Sequence, residues 1–293
     1  ADYDGDGIQD SNEPSAITAA DGSYSLSASD NFSSIVVNTT SETIDTSSGS
    51  VLSGVTLKAP KGATVVSPTS TVVVESNLSI EEVAQALGLP EDFTLDFNPF
   101  DANADPIKAA VVEKTSQMVM ATINAVSASA EGVGLSQVDA FKTAIEAVVN
   151  VVKENVETKA TIDFADADIL EKVQTNATSI AENKGADKVA MHRALDAAIE
   201  KTKTINNNIK EVEDVFSESA KEIFKEVAEV ITETKESAEQ IATEVKADLA
   251  GFSAAPKVTF DKIAEDCIIN ITEKASGFKV SGTAIAESEI TVT

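Results

Sequence analysis

The chain is poor in the side chains that do most chemistry: among 293 residues it has one cysteine, one histidine, no tryptophan and two tyrosines, with aromatics at 4%. A single thiol, Cys267, allows no intrachain disulfide, so rigidity must come from packing or from a bound ion, and Cys267 itself reads as a small buried apolar residue. One histidine and one cysteine cannot supply the three or four ligands of an ordinary zinc site. His192 sits in Met191-His192-Arg193 with no nucleophile in view, and reads as a surface or partly packed residue rather than a general base. Neither a glycine-rich phosphate loop nor a Gly-x-Ser-x-Gly elbow is present. With 49 acidic residues, no one carboxylate pair stands out as a glycosidase dyad. The scarcity of aromatics also leaves a sugar-stacking surface poorly supplied. Together these absences lead to the expectation of a chain that is not an enzyme.

Positive charge is scarce as well. A net charge of -27 and a pI near 4.2 exclude nucleic acid and anionic membrane surfaces as partners, since both need a basic face. No segment approaches the roughly 18 uncharged apolar residues that membrane insertion needs.

What is present is concentrated at one end. Residues 2 to 13 read Asp-Tyr-Asp-Gly-Asp-Gly-Ile-Gln-Asp-Ser-Asn-Glu, a twelve-residue calcium loop with each ligand position filled. Asp2, Asp4, Asp6, Asp10 and Glu13 supply side-chain oxygens at the first, third, fifth, ninth and twelfth places, the Ile8 carbonyl serves the seventh, and Gly7 makes the turn at the sixth. Packing five carboxylates so closely costs roughly 1 to 4 kcal/mol per neighbouring pair unless a cation neutralises them. Pro14, Ser15 and a β-like stretch come next, rather than a helix, so a structural clip between strands is expected, with a dissociation constant of about 0.1 to 1 mM. The alternative is an acidic solvated turn.

Residues 14–75 are rich in Ser, Thr and Val, contain two lysines and no arginine, and alternate as half-buried strands do. Strands are expected at Ser23 to Ala28, Ser33 to Thr39, Val51 to Lys58 and Ala63 to Val66. From residue 78 the pattern becomes helical. Ser79 with Glu82 forms a capping box and Gly88 a stop, so Ser79 to Leu87 reads as a short helix. Asp105-Pro106 opens a longer one with an apolar stripe through Ile107, Val111, Met118, Val119, Thr122 and Val126. A third, from about Leu135, carries Val138, Phe141, Ile145, Val148, Val149 and Val152. Between Ala186 and Leu249 apolar residues recur at steps of three and four, with Asn206, Asn207 and Asn208 marking a weakening between two long helices; an antiparallel bundle or a partner-binding coiled coil would both use that seam. Asp101, Asn103 and Asp105 read either as a minor second calcium loop or as capping for the adjoining helix.

After Pro256 the β character returns. The segment from Val258 to Ala284, with Asp266, Asn270 and Glu273 and then Val280-Ser-Gly-Thr, resembles the opening of the bacterial immunoglobulin-like repeats of giant RTX-type and biofilm adhesins. That resemblance implies calcium ligation at Asp266, Asn270 and Glu273, with Cys267 a departure from the polar residue usual there. The loop at 2–13, together with Asp21-Gly-Ser-Tyr-Ser-Leu26, is similar to the B-type calcium repeats of bacterial surface proteins, and Ala59 to Val73 resembles a domain of unassigned role in the same class.

The expectation is an α+β chain with β-sandwich segments, Ig-like or B-type, at both ends of a helical bundle: 1–77 a calcium-loop β module, 78–252 the helical domain, and 253–293 a partial Ig-like segment. The function expected is that of a non-enzymatic, calcium-stabilised extracellular structural module of a bacterial surface adhesin. A first alternative is a self-assembling filament or matrix subunit joined head to tail by β-strand complementation, since both ends read as unfinished β units. A second is a ligand-binding module working through the helical domain. The partners expected are neighbouring repeats or other copies of the chain through the β ends, with a cell-surface or matrix ligand beyond them.

Overall fold

The computed structural model describes residues 1–253. Residues Ala1–Thr243 form one compact unit and Glu244–Thr293 a second. The β segment expected at 253–293, with Asp266, Cys267, Asn270 and Glu273, lies outside the described residues except for Ser253.

The β content of the first unit is one small sheet. Strand β1 (Ser34–Asn38) pairs antiparallel with β2 (Thr56–Pro60), Val36 facing Lys58 across the ladder. Asp2 adds a single bridge to Ser34 on β1, and Ile44 bridges Val51 in the connection between the strands. No β-sandwich forms among the described residues, so the sandwich expected at the amino-terminal end is corrected to a two-stranded sheet beside a mainly helical body. The alternation of Ser23 to Ala28 and Ala63 to Val66 is real, but their polar groups find partners outside a ladder. Tyr24 Oη donates to the Thr64 carbonyl at 3.0 Å, and Thr64 donates through both N–H and hydroxyl to Asp96 Oδ1 at 2.8 and 2.7 Å.

The sheet's outer edge is covered by a helix. Helix α1 (Pro68–Ser76) starts where Ser67 and Ser70 cap each other reciprocally and Pro68 presets the first turn. These caps, together with full burial of Val72, carry a β-branched run into a helix that propensity alone disfavours. Its hydroxyls complete the β2 edge: Lys58 N–H donates to Thr71 Oγ1 at 2.9 Å and Ser70 Oγ donates to the Lys58 carbonyl at 2.6 Å.

Helix α2 (Ile80–Ala86) carries the expected Ser79–Glu82 capping box. Then α3 (Pro106–Gly132), α4 (Gln137–Thr158), α5 (Ala167–Asn183) and α6 (Lys188–Glu211) form a ring in which each packs on the next and α6 returns to α3. Their short connections make neighbours antiparallel, as in an up-and-down bundle. Helix α3 is buried on most sides because small residues, Ala121, Ala125, Ala128, Ser129 and Ala130, let neighbours approach from several directions, whereas Ile107 of the expected stripe stays exposed. Helix α4 buries Phe141, Ile145, Val148, Val149 and Val152 and leaves Val138 out. Each buried aliphatic or aromatic side chain contributes about 1.5–3 kcal/mol.

Helix α7 (Glu218–Ser253) adds Ala220, Phe224 and Val227 to a cluster with Ile205 and Ile209 of α6 and Ala121 of α3. A Cβ on Gly132 would lie 2.5 Å from Ala238 Cβ and 2.6 Å from the Lys235 carbonyl, so the α3–α7 contact needs glycine there. The asparagine run does not interrupt the helix: α6 continues to Glu211, and the break falls at 212–217. Asn206 is fully buried and donates to the Phe164 carbonyl at 2.8 Å, tying α6 to the turn before α5.

Candidate functional site

The amino-terminal loop closes on its own backbone. Asp2 is 3% exposed and Glu13 7%. Burying carboxylates is costly without partners, and here the backbone supplies them. Gly5 N–H donates to Asp2 Oδ1 at 2.7 Å and Gly7 N–H to Oδ2 at 3.1 Å. Tyr3 N–H donates to Glu13 Oε1 at 2.6 Å and Asp10 N–H to Oε2 at 2.9 Å. Both glycines take positive φ, 85° and 77°, which turns successive amides toward the acids. Around the rim, Asp4 Oδ1 accepts from Asp6 N–H at 3.1 Å and Asp6 Oδ1 from Ile8 N–H at 2.7 Å.

Carboxylate oxygens of Asp2, Asp4 and Glu13 all lie within 4.8 Å of one another. Oxygens that share a calcium at about 2.4 Å can be at most about 4.8 Å apart, so these three fit one coordination sphere. Asp2 Oδ1, Asp4 Oδ1 and the two Glu13 oxygens each accept one amide and keep a lone pair for a cation, whereas Asp2 Oδ2 accepts from both Gly7 N–H and Ser34 Oγ. Asp6 and Asp10 do not join the group, and Ile8 is 66% exposed on the outer turn. Of the six positions expected from spacing, three therefore converge; a hard cation would be held by Asp2, Asp4 and Glu13, with water completing its shell.

The loop is anchored by its first acid. Asp2 N–H donates to the Ser34 carbonyl at 2.9 Å, Ser33 N–H donates to the Asp2 carbonyl at 2.8 Å, and Ser34 Oγ reaches Asp2 Oδ2 at 3.3 Å. Ala1 N donates to the Pro14 carbonyl at 2.9 Å, closing the loop's two ends. On β2, Lys58 holds Glu75 of α1 at 2.8 Å and reaches toward Gly7. A continuous series of bonds thus runs from the acidic loop through β1 and β2 into α1.

No family model matches the chain, and no curated protein or solved structure does either.

The other residues singled out by sequence have plainer roles. Asp105 caps α3 through Oδ1, which accepts from Ile107 and Lys108 N–H at 2.9 and 3.0 Å, while Asp101 accepts from Asn103 N–H. His192 is on the surface of α6, 4.0 Å from Asp196 and 3.3 Å from Gln174.

One buried acid gave no signal in the sequence. Glu113 of α3 is 4% exposed, and burial raises its carboxyl above the usual carboxylate range, opposed by hydrogen bonds from the Gln117 and Ser47 side chains and assisted by the Asp45 charge. It stands among Ala109, Val112, Ser116 and Met120 at helical spacing, a stripe lying beside the Ile107–Val111 line and obscured by its small residues.

Proposed function

We propose that this chain is a non-enzymatic structural module of an extracellular bacterial surface adhesin, stiffened by calcium. The observation that carries the reading is the convergence of Asp2, Asp4 and Glu13 on one point, with Asp2 bonded directly to β1. A cation there neutralises three close acids and links the loop to the sheet, so its binding free energy opposes any pull that opens the loop. The expected gain is about 2.7 kcal/mol when free calcium stands a hundredfold above its dissociation constant. Sites of this extracellular type bind in about the 0.1 to 1 mM range.

The test is urea unfolding in millimolar calcium and again in chelator with magnesium present, on the parent chain and on Asp2→Asn. The parent should show a higher midpoint in calcium, and the variant should show none of that gain. An identical midpoint for the parent in both buffers would sink the reading.

The filament alternative is favoured by one feature. Beyond the Asp2 bridge, β1 has no further strand beside it among the described residues, and such an edge accepts a strand from another copy. Sedimentation velocity separates the two: a concentration-independent monomer in calcium supports the spacer, and growth into large species supports the filament.

A further inference from the structure

A cleft of about 1340 Å³ opens between the segment around β1 and β2 and helices α3 and α7, all within Ala1–Thr243. Small-molecule sites commonly enclose about 300–1,000 Å³, so this one has room for a ligand and several waters. Its walls are mixed: Leu95, Phe97, Phe100, Met120 and Phe224 form an apolar part, and serine and threonine hydroxyls line much of the rest. The charged residues that line it, Asp21, Asp45, Asp101 and Glu113, are all acidic; no lysine, arginine or histidine lines it among the described residues. Phe100 stands edge-on to Phe216, ring centres 5.8 Å apart at 77°, which holds its ring in place at the cleft.

Such a wall selects by charge. Phenyl faces attract ammonium groups, and a carboxylate in an apolar wall gains most from a cation brought in without competing water. An anionic ligand would find no cationic side chain among the described lining residues, and the chain's net charge of -27 repels it further. We propose that the cleft binds an apolar small molecule bearing a protonated or quaternary amine, with Glu113 as the anionic partner of its head group and the phenylalanine rings enclosing its body. The proposal stands apart from the calcium loop and is measured with chelator present, so that a metal cannot compete for the acids.

The experiment is calorimetric titration of the full chain with decyltrimethylammonium, decanol and decanoate, each below its micelle concentration. The ammonium should bind at one site about tenfold more tightly than the alcohol, and decanoate more weakly than either. Glu113→Gln should bring the ammonium down to the alcohol's affinity and leave the alcohol unchanged. Ser116→Phe, which fills the cleft beside Glu113, should weaken both. The proposal is overturned if the wild-type chain binds none of the three, if it binds ammonium no more tightly than alcohol, or if a folded Glu113→Gln keeps the ammonium preference. Circular dichroism establishes that each variant folds; should Glu113→Gln not fold, Asp45→Asn takes its place, with a reduced ammonium preference expected and an unchanged one overturning the proposal.

Discussion

The acidic loop and the helical bundle hold their polar groups in opposite ways. In residues 2–13 nearly every carboxylate partner is a backbone amide a few positions away, as with Asp2 and Gly5 or Glu13 and Asp10. In the bundle, hydroxyls and amides such as Ser129 and Asn155 bond the carbonyl one turn back, but the ties between helices come from distant segments: Asn206 reaches Phe164 and Lys235 of α7 meets Glu131 of α3. A locally closed site can be specified by a short run of residues, whereas a packed one exists only after its helices have come together.

That contrast breaks most forcefully in the bundle. Phe224 is 1% exposed at the meeting of α3, α6 and α7, and Phe224→Ala should cost about 3–5 kcal/mol, read as a lowered urea midpoint. Calcium-dependent stabilisation through the loop should survive in that variant wherever it still folds, because the loop's hydrogen bonds are made within itself, to β1 and to Ser29, none of them to the cluster around Phe224.

Gly132→Ala comes next. The added methyl would meet Ala238 and the Lys235 carbonyl at 2.5–2.6 Å, so α7 must shift, at a cost of about 1–3 kcal/mol. A change below about 0.5 kcal/mol would mean that the two helices are less closely engaged than their contact at Gly132 implies.

Titration sharpens the contrast between buried and exposed acids. Burial raises the Glu113 carboxyl, so the neutral form favours the fold; its stabilisation is complete below the ordinary carboxylate range and is lost as pH rises through the raised value. Glu113→Gln should remove that part of the decline. At Asp163 burial pushes upward, but the Lys210 hydrogen bond and charge and the Ala165 amide outweigh it, and the net direction is down. Its contribution is present above the ordinary range and lost as pH falls, so Asp163→Asn should flatten the acid limb. Urea midpoints across pH read both, and swapped signs would refute the assignment.

The smallest effect is expected at the Lys235–Glu131 pair, 2.8 Å apart with the lysine partly exposed. Lys235→Ala should cost about 0.2–1 kcal/mol and less in high salt.

Much of the helical part is legible in the sequence because its signals are local. Ser79 with Glu82 and Asp105 with Pro106 start helices where spacing places them, since capping satisfies amides of the adjoining turn alone. Legibility fails where partners lie far away. Ser67 to Ser76 continues a stretch that reads as β by its Ser, Thr and Val content, but its hydroxyls and valines are claimed by β2 and the neighbouring helices. Ser23 to Ala28 alternates correctly, yet has no ladder beside it among the described residues. Asn206 reads as a break in a seam and is in fact a buried tether, because the carbonyl that accepts it lies on another segment.

By itself, then, the sequence determined the acidic loop, the helix starts at Ser79 and Asp105 and the anionic charge, all set by residues within a turn or two of one another or by composition alone. Tertiary structure decided which three of the loop's ligand positions converge, that the amino-terminal β pattern yields two strands, and that Glu113 faces a cleft. The last two outcomes depend on backbone and side chains brought together across dozens of residues, so no short window of sequence contains both halves of such a contact, whereas the loop's convergence is set by backbone turns within residues 2–13 that ligand spacing alone does not specify.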